Sequence, residues 1–306
     1  MTEKKLVVLG SVNADHILKV ADFPKPGETI TGHGYRVVPG GKGANQAVAA
    51  ARLGARTSFI ACVGDDDFGI RMQEAFEKEG METSGVMVAK GSPTGIAIIY
   101  VAESGENSIG ISAEANACLT AESLTPQLEI IRRAETLLMQ LETPMETLLL
   151  AASEAKKAGV PVVLNPAPAR ELPPELLDGL AMITPNETEA ETLTGISVTD
   201  EASAKEAADA LHIRGVETVI ITLGSKGAFV STGDESQLIA GYPVKAVDTT
   251  AAGDTFNGGL LAALQRGDSL PEAIAFANAA AALSVTAMGA QTSIPTRAET
   301  LEFVNR

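Results

Sequence analysis

The sequence predicts an α/β protein: a doubly wound, mostly parallel sheet flanked by helices, with a small β-sheet lid beside it. Short runs with apolar residues at nearly every position alternate along the chain with longer helical segments. That pattern belongs to strands covered on both faces by crossover helices. Two stretches, 13–38 and 94–111, break the alternation with hairpin-like strands, glycine-rich turns and no intervening helix. They predict a separate small sheet, with edge strands of the main sheet as the alternative. The length of 306 residues, 45% of them hydrophobic and 20% charged, suits a single large domain carrying such a projection.

In chain order the buried-strand runs are "KLVVLG" (4–9), "TSFIACVG" (57–64), "TLLMQL" (136–141), "VPVVLNP" (160–166), "AMITPN" (181–186) and "TVIITLG" (218–224). Helices are expected over 43–53, 68–79, 144–158, 202–213, 253–265 and 271–286. Open α/β sheets bind ligands outside the carboxyl ends of their strands, so a small sheet at that end would cover the site.

Composition narrows the partners. A net charge of -16 without a block of Lys or Arg speaks against nucleic acid. No run approaches the roughly 18 apolar residues of a membrane span, and the apolar run after Lys4 and Lys5 is too short for a signal-peptide core. Cys62 and Cys118 lie in unrelated contexts, as unpaired thiols in a reducing cytoplasm would. His16, His33 and His212 lack metal-ligand spacing, and no Ser-His-Asp arrangement emerges.

The densest chemistry lies in "DTTAAGDTFNGG" (248–259). A helix start presents unpaired N–H groups and partial positive charge. Ala251, Ala252 and Gly253 leave that backbone open to an anion. Asp254 then stands beside the anion, where a carboxylate makes sense as acceptor of a proton from an attacking hydroxyl. The other reading is that Asp254 simply caps the helix. No Walker loop competes: Lys42 has Arg36 and Gly43 at the places where that pattern needs Gly and Ser or Thr.

Further candidates come in pairs of readings. "GGKGANQA" (40–47) is a glycine cluster entering an Ala-rich helix, a ligand-binding turn with Asn45 as donor and acceptor or a tight turn only. Asn13 and Asp15 share one side of an extended segment, facing sugar hydroxyls or merely solvent. Asn186 and Glu189 form a capping box or a site for phosphate and a water-bridged magnesium. "TPMETLLL" is a purely structural helix start built on Thr143, Pro144 and Glu146, preceded by Glu142 as a possible ligand contact. "TLGSKGAFV" (222–230) is a hairpin or a nucleotide-contacting loop.

These segments, together with "MQLETP", "LNPAPARELP" and "GAQTSIP", resemble in order the ribokinase family of ATP-dependent sugar kinases over essentially the whole chain. The resemblance implies phosphorylation of D-ribose at its 5-hydroxyl by ATP. A 2-deoxyribose kinase or a non-catalytic sensor are the rival readings. By resemblance, Asn13, Asp15, Gly41, Lys42, Asn45 and Glu142 bind the sugar, Asp254 is the base, and Ala251, Ala252 and Gly253 form the anion hole. Asn186, Thr222, Leu223, Gly224, Ser225, Lys226, Gly227, Gly253 and Asn278 contact ATP, and Glu189 organises Mg2+. Asp248, Thr250, Ser284, Ala287, Gly289 and Ser293 surround a monovalent cation, K+, mostly through backbone oxygens. A homodimer through the lid is also implied. Ala287 and Met288 stand where relatives often carry charged residues.

Overall fold

The computed structural model describes residues 4–305. Strands β1 (Leu6–Leu9), β4 (Thr57–Gly64), β5 (Glu82–Ala89), β8 (Thr136–Met139), β9 (Val162–Leu164), β10 (Met182–Ile183), β11 (Thr218–Thr222), β12 (Gly227–Ser231) and β13 (Ser236–Ala240) form one nine-stranded sheet. Its order is β13-β12-β11-β10-β9-β8-β1-β4-β5. All pairings from β5 to β11 are parallel, and β12 and β13 add on antiparallel.

Alternate residues of each strand enter opposite layers. Val7, Leu9, Ile60 and Leu137 belong to one core, and Leu6, Val8, Phe59 and Leu138 to the other. Helices Met145–Lys157, Glu187–Thr194 and Glu201–Ile213 cover the first face; Lys42–Arg52, Ala252–Arg266 and Leu270–Ser284 cover the second. Burial on both sides is why these strands lack polar alternation.

The four remaining strands, β2 (Asn13–Val20), β3 (His33–Gly40), β6 (Gly95–Ala102) and β7 (Asn107–Ser112), make a separate sheet in the order β3-β2-β6-β7. Its outer pairings are antiparallel, while the central β2–β6 pair is parallel. The two stretches are therefore not edge strands of the main sheet. From β1 the chain winds through β4 to β5 in one direction, then restarts at β8 and winds the other way. The reversal between β1 and β8 creates a crevice at their carboxyl ends.

Candidate active site

Side chains following the central strands meet at this crevice: Ser11 after β1, Gln140 and Glu142 after β8, Asn165 after β9, Thr184 and Asn186 after β10, and Thr222 closing β11. The helices Lys42–Arg52 and Ala252–Arg266 both begin there.

Asp254 is the third residue of its helix and 7% exposed. It does not cap the helix. The N-cap is Ala251, held in the left-handed region at φ 60 with no side-chain cap. The Asp254 carboxylate instead accepts 3.0 Å from Asn45 Nδ2 at Oδ2 and 2.9 Å from Gln46 Nε2 at Oδ1. The Gly253 amide finds no acceptor among the described residues. A cavity of about 200 Å³ opens here, lined by Lys42, Asn186, Glu189 and the backbone of 251–254. An open helix terminus beside a buried carboxylate thus holds anion-binding and proton-accepting capacity within one space.

On the small-sheet side, Gly41 turns the chain into its helix at φ 89, and a Cβ there would lie 2.8 Å from the Asn13 amide nitrogen. Only glycine satisfies both demands. The turn directs the Lys42 backbone N–H to Glu142, which accepts it at 2.9 Å along with the Ser11 hydroxyl at 2.5 Å. Asn13 is buried and accepts 2.8 Å from Asn116. Asp15 lines a second cavity, about 300 Å³, between the small sheet and residues 246–250 and 288–290.

The charges of this cluster act on one another. Burial pushes the Asp15 carboxyl up to about 7, Glu142 and Asp254 add to the shift, and Lys42 opposes it. Burial also works against the Lys42 ammonium, but Asp254, Glu142, Glu189 and Asp15 outweigh it and hold its pKa above the ordinary lysine value. Burial raises the Glu189 carboxyl despite the Asn186 N–H and Lys42. Lys42, half-buried, is thus the cation that four carboxyl groups share.

Asn186 and Glu189 form a complete capping box, with bonds of 2.8 and 2.9 Å, and both also line the 200 Å³ cavity. That cavity shares Thr222, Thr249, Ala252 and Gly253 with a more apolar one of about 290 Å³, walled by Gly224, Ser225, Gly227, Tyr242, Phe256 and Asn278. Leu223 is buried and Lys226 reaches the Thr199 carbonyl, so neither side chain lines it. Asn278 gives its amide to the carbonyls of Ile239 and Ala240.

Asp248 Oδ1 accepts from the Thr250 hydroxyl at 2.6 Å and amide at 3.0 Å, and Oδ2 from the Gly289 amide at 2.9 Å. Burial alone would raise this carboxyl; the Thr250 hydroxyl, the Gly289 and Thr250 amides and the Arg36 charge instead hold it below the usual range. The Val285 carbonyl accepts the amides of Val247 and Asp248, tying this loop to the segment with Ser284, Ala287 and Ser293. The Ser284 and Ser293 hydroxyls donate to the carbonyls of Ala281 and Ala290.

Residues 3–297 match the profile described as pfkB family carbohydrate kinase. The chain belongs to this family. This pfkB-family kinase is 56% identical over 301 residues to the ribokinase of Haemophilus influenzae, covering 98% of each chain. It is 36% identical to the deoxyribokinase of Salmonella typhi, again over 98% of each. The structure of Arabidopsis thaliana ribokinase complexed with ribose and ATP superimposes with a TM-score of 0.93 at 37% identity, covering 100% of both chains.

Several polar groups of this kinase's crevice escaped sequence reasoning: Gln46, Asn116, Gln140, Asn165, Thr184 and Asn257. Gln140 alone stands inside an apolar run, "TLLMQL"; the others carry no local signal of their burial. Thr184 donates 2.6 Å to Asn257, which donates 2.9 Å to the Gly253 carbonyl, bracing the helix start from below. At the helix start built on Thr143, Pro144 and Glu146, Pro144 is the N-cap and the buried Thr143 hydroxyl has no partner, so Thr143 does not cap. His212 is structural, bonded to the Val216 carbonyl and Ser231. Among the described residues no helix is long and apolar enough to cross a membrane.

Proposed function

We propose that the protein transfers the γ-phosphoryl group of ATP to the 5-hydroxyl of D-ribose, giving ribose 5-phosphate and ADP. The observation that carries this reading is the placement of the buried Asp254 carboxylate, free of any capping duty, beside the unpaired Gly253 amide. Asp254 accepts the proton of the 5-hydroxyl as its oxygen bonds phosphorus and the bond to the ADP oxygen breaks. Asn13, Asp15, Lys42, Asn45, Glu142 and the Gly41 backbone hold the sugar. The amides of Ala251 and Gly253, with that of Ala252, which in the structure donates 3.2 Å to the Thr249 carbonyl, would stabilise charge on the phosphoryl oxygens.

ATP lies along the two joined cavities, with its base toward Tyr242, Phe256 and Asn278 and its phosphates toward Asn186 and Gly253. No group of three metal-ligating side chains occurs among the described residues. This fits Mg2+ that arrives with the nucleotide, keeps its waters and takes one outer contact from Glu189. Bound there, Mg2+ would supply neutralisation of the charge on the nucleotide phosphates. The hard oxygens at Asp248, Thr250, Ser284, Ala287, Gly289 and Ser293 suit K+, which would keep the loop before the anion hole in shape.

Exposed apolar side chains occur on both faces of the small sheet: Tyr35, Val37 and Ile98 on one, Ile109 and Ile111 on the other. Such exposure favours a homodimer in which this sheet serves as lid and interface. The two unpaired thiols suit the cytoplasm.

The test is ADP release by the purified protein with magnesium-ATP and potassium, offered ribose, 2-deoxyribose, fructose and adenosine in parallel. Preference for ribose supports the reading. Preference for 2-deoxyribose would move the substrate to its rival, and no release with any acceptor would overturn the kinase reading.

A further inference from the structure

Gln46 is fully buried in a helix that is otherwise largely alanine on that face. Its Nε2 lies 2.9 Å from Asp254 Oδ1 and 2.9 Å from Asn165 Oδ1, while its Oε1 accepts 2.6 Å from Gln140 Nε2. An ionised carboxylate only accepts hydrogen bonds, so the donor end of Gln46 must face Asp254. Reversing the amide would put oxygen against carboxylate and nitrogen against nitrogen.

The sense of the Gln46 amide is enforced from behind. Gln140 Oε1 is buried with no partner and lies over Gly10, where an added Cβ would come within 2.2 Å of it. Leaving a buried acceptor unpaired is costly and asks for a reason. Here the reason is that the other end of Gln140 supplies Gln46. Asn165 is fixed in turn by donating 3.0 Å to the Thr184 carbonyl.

We propose that Gln46 is a positioning residue for phosphoryl transfer, its amide oriented by Gln140 and Asn165 so that a donor is always presented to Oδ1 of Asp254. Asn45 holds Oδ2 of the same carboxylate. Two donors on different oxygens fix the carboxylate plane, which one donor alone would leave free to rotate. The remaining acceptor capacity of Asp254 then points at the hydroxyl to be phosphorylated. Misplacement of a reacting group by about 1 Å is enough to slow an otherwise intact site about 100-fold.

The inference rests on Asp254 being the base, and the experiment separates the two. Gln46→Met, Gln46→Glu and Asp254→Asn are compared with the parent protein for kcat, ribose dissociation constant by calorimetry, and the pH profile of kcat. Gln46→Met is expected to lower kcat about 10- to 100-fold, as for one lost hydrogen bond to a charged group, with ribose affinity unchanged. Gln46→Glu keeps the shape but places a second carboxyl beside Asp254; the pair shares a proton, so the acid limb of the kcat profile moves to higher pH. A Gln46→Met protein with parental kcat, or a Gln46→Glu protein with the parental pH profile, overturns the positioning role. So does a loss confined to ribose affinity. If Gln46→Met does not fold, the profile of Gln46→Glu decides alone. Full turnover by Asp254→Asn would instead overturn the base assignment itself.

Discussion

Asn45 Nδ2 lies 3.0 Å from Asp254 Oδ2, joining two residues 209 positions apart across the packed helices Lys42–Arg52 and Ala252–Arg266. The bond makes one unit of the two glycine-rich helix starts. On the proposed reading, a sugar held by the first start would be presented to the carboxylate of the second.

Asp254→Ala should therefore lower kcat by at least about 100-fold, the usual scale of general-base assistance. Ribose should still bind, because Asn13, Asp15 and Glu142 are untouched. Steady-state kinetics beside calorimetric ribose binding check this. Near-normal turnover would remove Asp254 from the chemistry.

Gly253→Ala separates stability from activity. A Cβ at Gly253 meets nothing within 4 Å, and alanine is the better helix former by about 1 kcal/mol. The melting temperature should rise slightly, yet the new methyl enters the space that the transferring phosphoryl group needs, so turnover should fall. A variant gaining stability with unchanged kcat would show that the anion does not approach this backbone.

The Asp15 carboxyl, at about 7 against an ordinary value of 3.8, carries a pH signature. Its folded-state pKa is raised, so the folded protein binds the extra proton between these values, and its contribution to stability declines as pH climbs from about 4 to about 7. Sugar hydroxyls need the ionised form as acceptor. Ribose affinity should rise with pH up to about 7, with proton release on binding below it. Asp15→Asn should bind ribose more weakly with no such pH dependence, and at pH 8 should be more stable than the parent by about 1–4 kcal/mol. Calorimetry in buffers of different ionisation enthalpy and urea titrations read both effects.

The parts legible in the sequence were those with a strong local signal. Strands buried on both faces announce themselves by unbroken apolar runs, and the crevice residues on glycine-rich helix starts stood out. Edge strands did not: β5 and β13 are largely exposed or half-buried along their length, and "ETSGVMVA" and "SQLIA" both begin on polar residues and leave only a short apolar stretch at the end. The helix Arg297–Val304 buries only Thr300 fully and gives no periodic face. The amide network behind Asp254 was hidden for a different reason. Gln46, Gln140 and Asn165 come from three distant segments, and nothing local tells a buried carboxamide with partners from an exposed one. Its own stretch alone lets the Asp254 carboxylate read equally as a helix cap or a base; the structure puts Ala251 at the cap position.

The small sheet should hold two protomers together. Ile98 is 51% exposed, opposite His16 and on the same face as the exposed Val37 and Tyr35, apolar surface that a second copy of the sheet would cover. Ile98→Asp should shift the protein from dimer to monomer in sedimentation velocity without altering the fold. A parent protein that sediments as a monomer would refute the arrangement.

Potassium should activate the enzyme through Asp248. Its carboxylate gathers the Thr250 hydroxyl and amide and the Gly289 amide, so it already holds together the loop that leads into Ala251 and the segment carrying Ala287 and Ser293. A cation bound to the surrounding carbonyls would be balanced by this one ionised group, which its donors and Arg36 keep charged. Turnover in potassium should exceed that in tetramethylammonium by roughly tenfold, a change of ~1.4 kcal/mol in the barrier. Asp248→Asn keeps the shape but not the charge, and should turn over at one slow rate in both salts. Equal parental rates in the two salts would show that the loop is held by its hydrogen bonds alone.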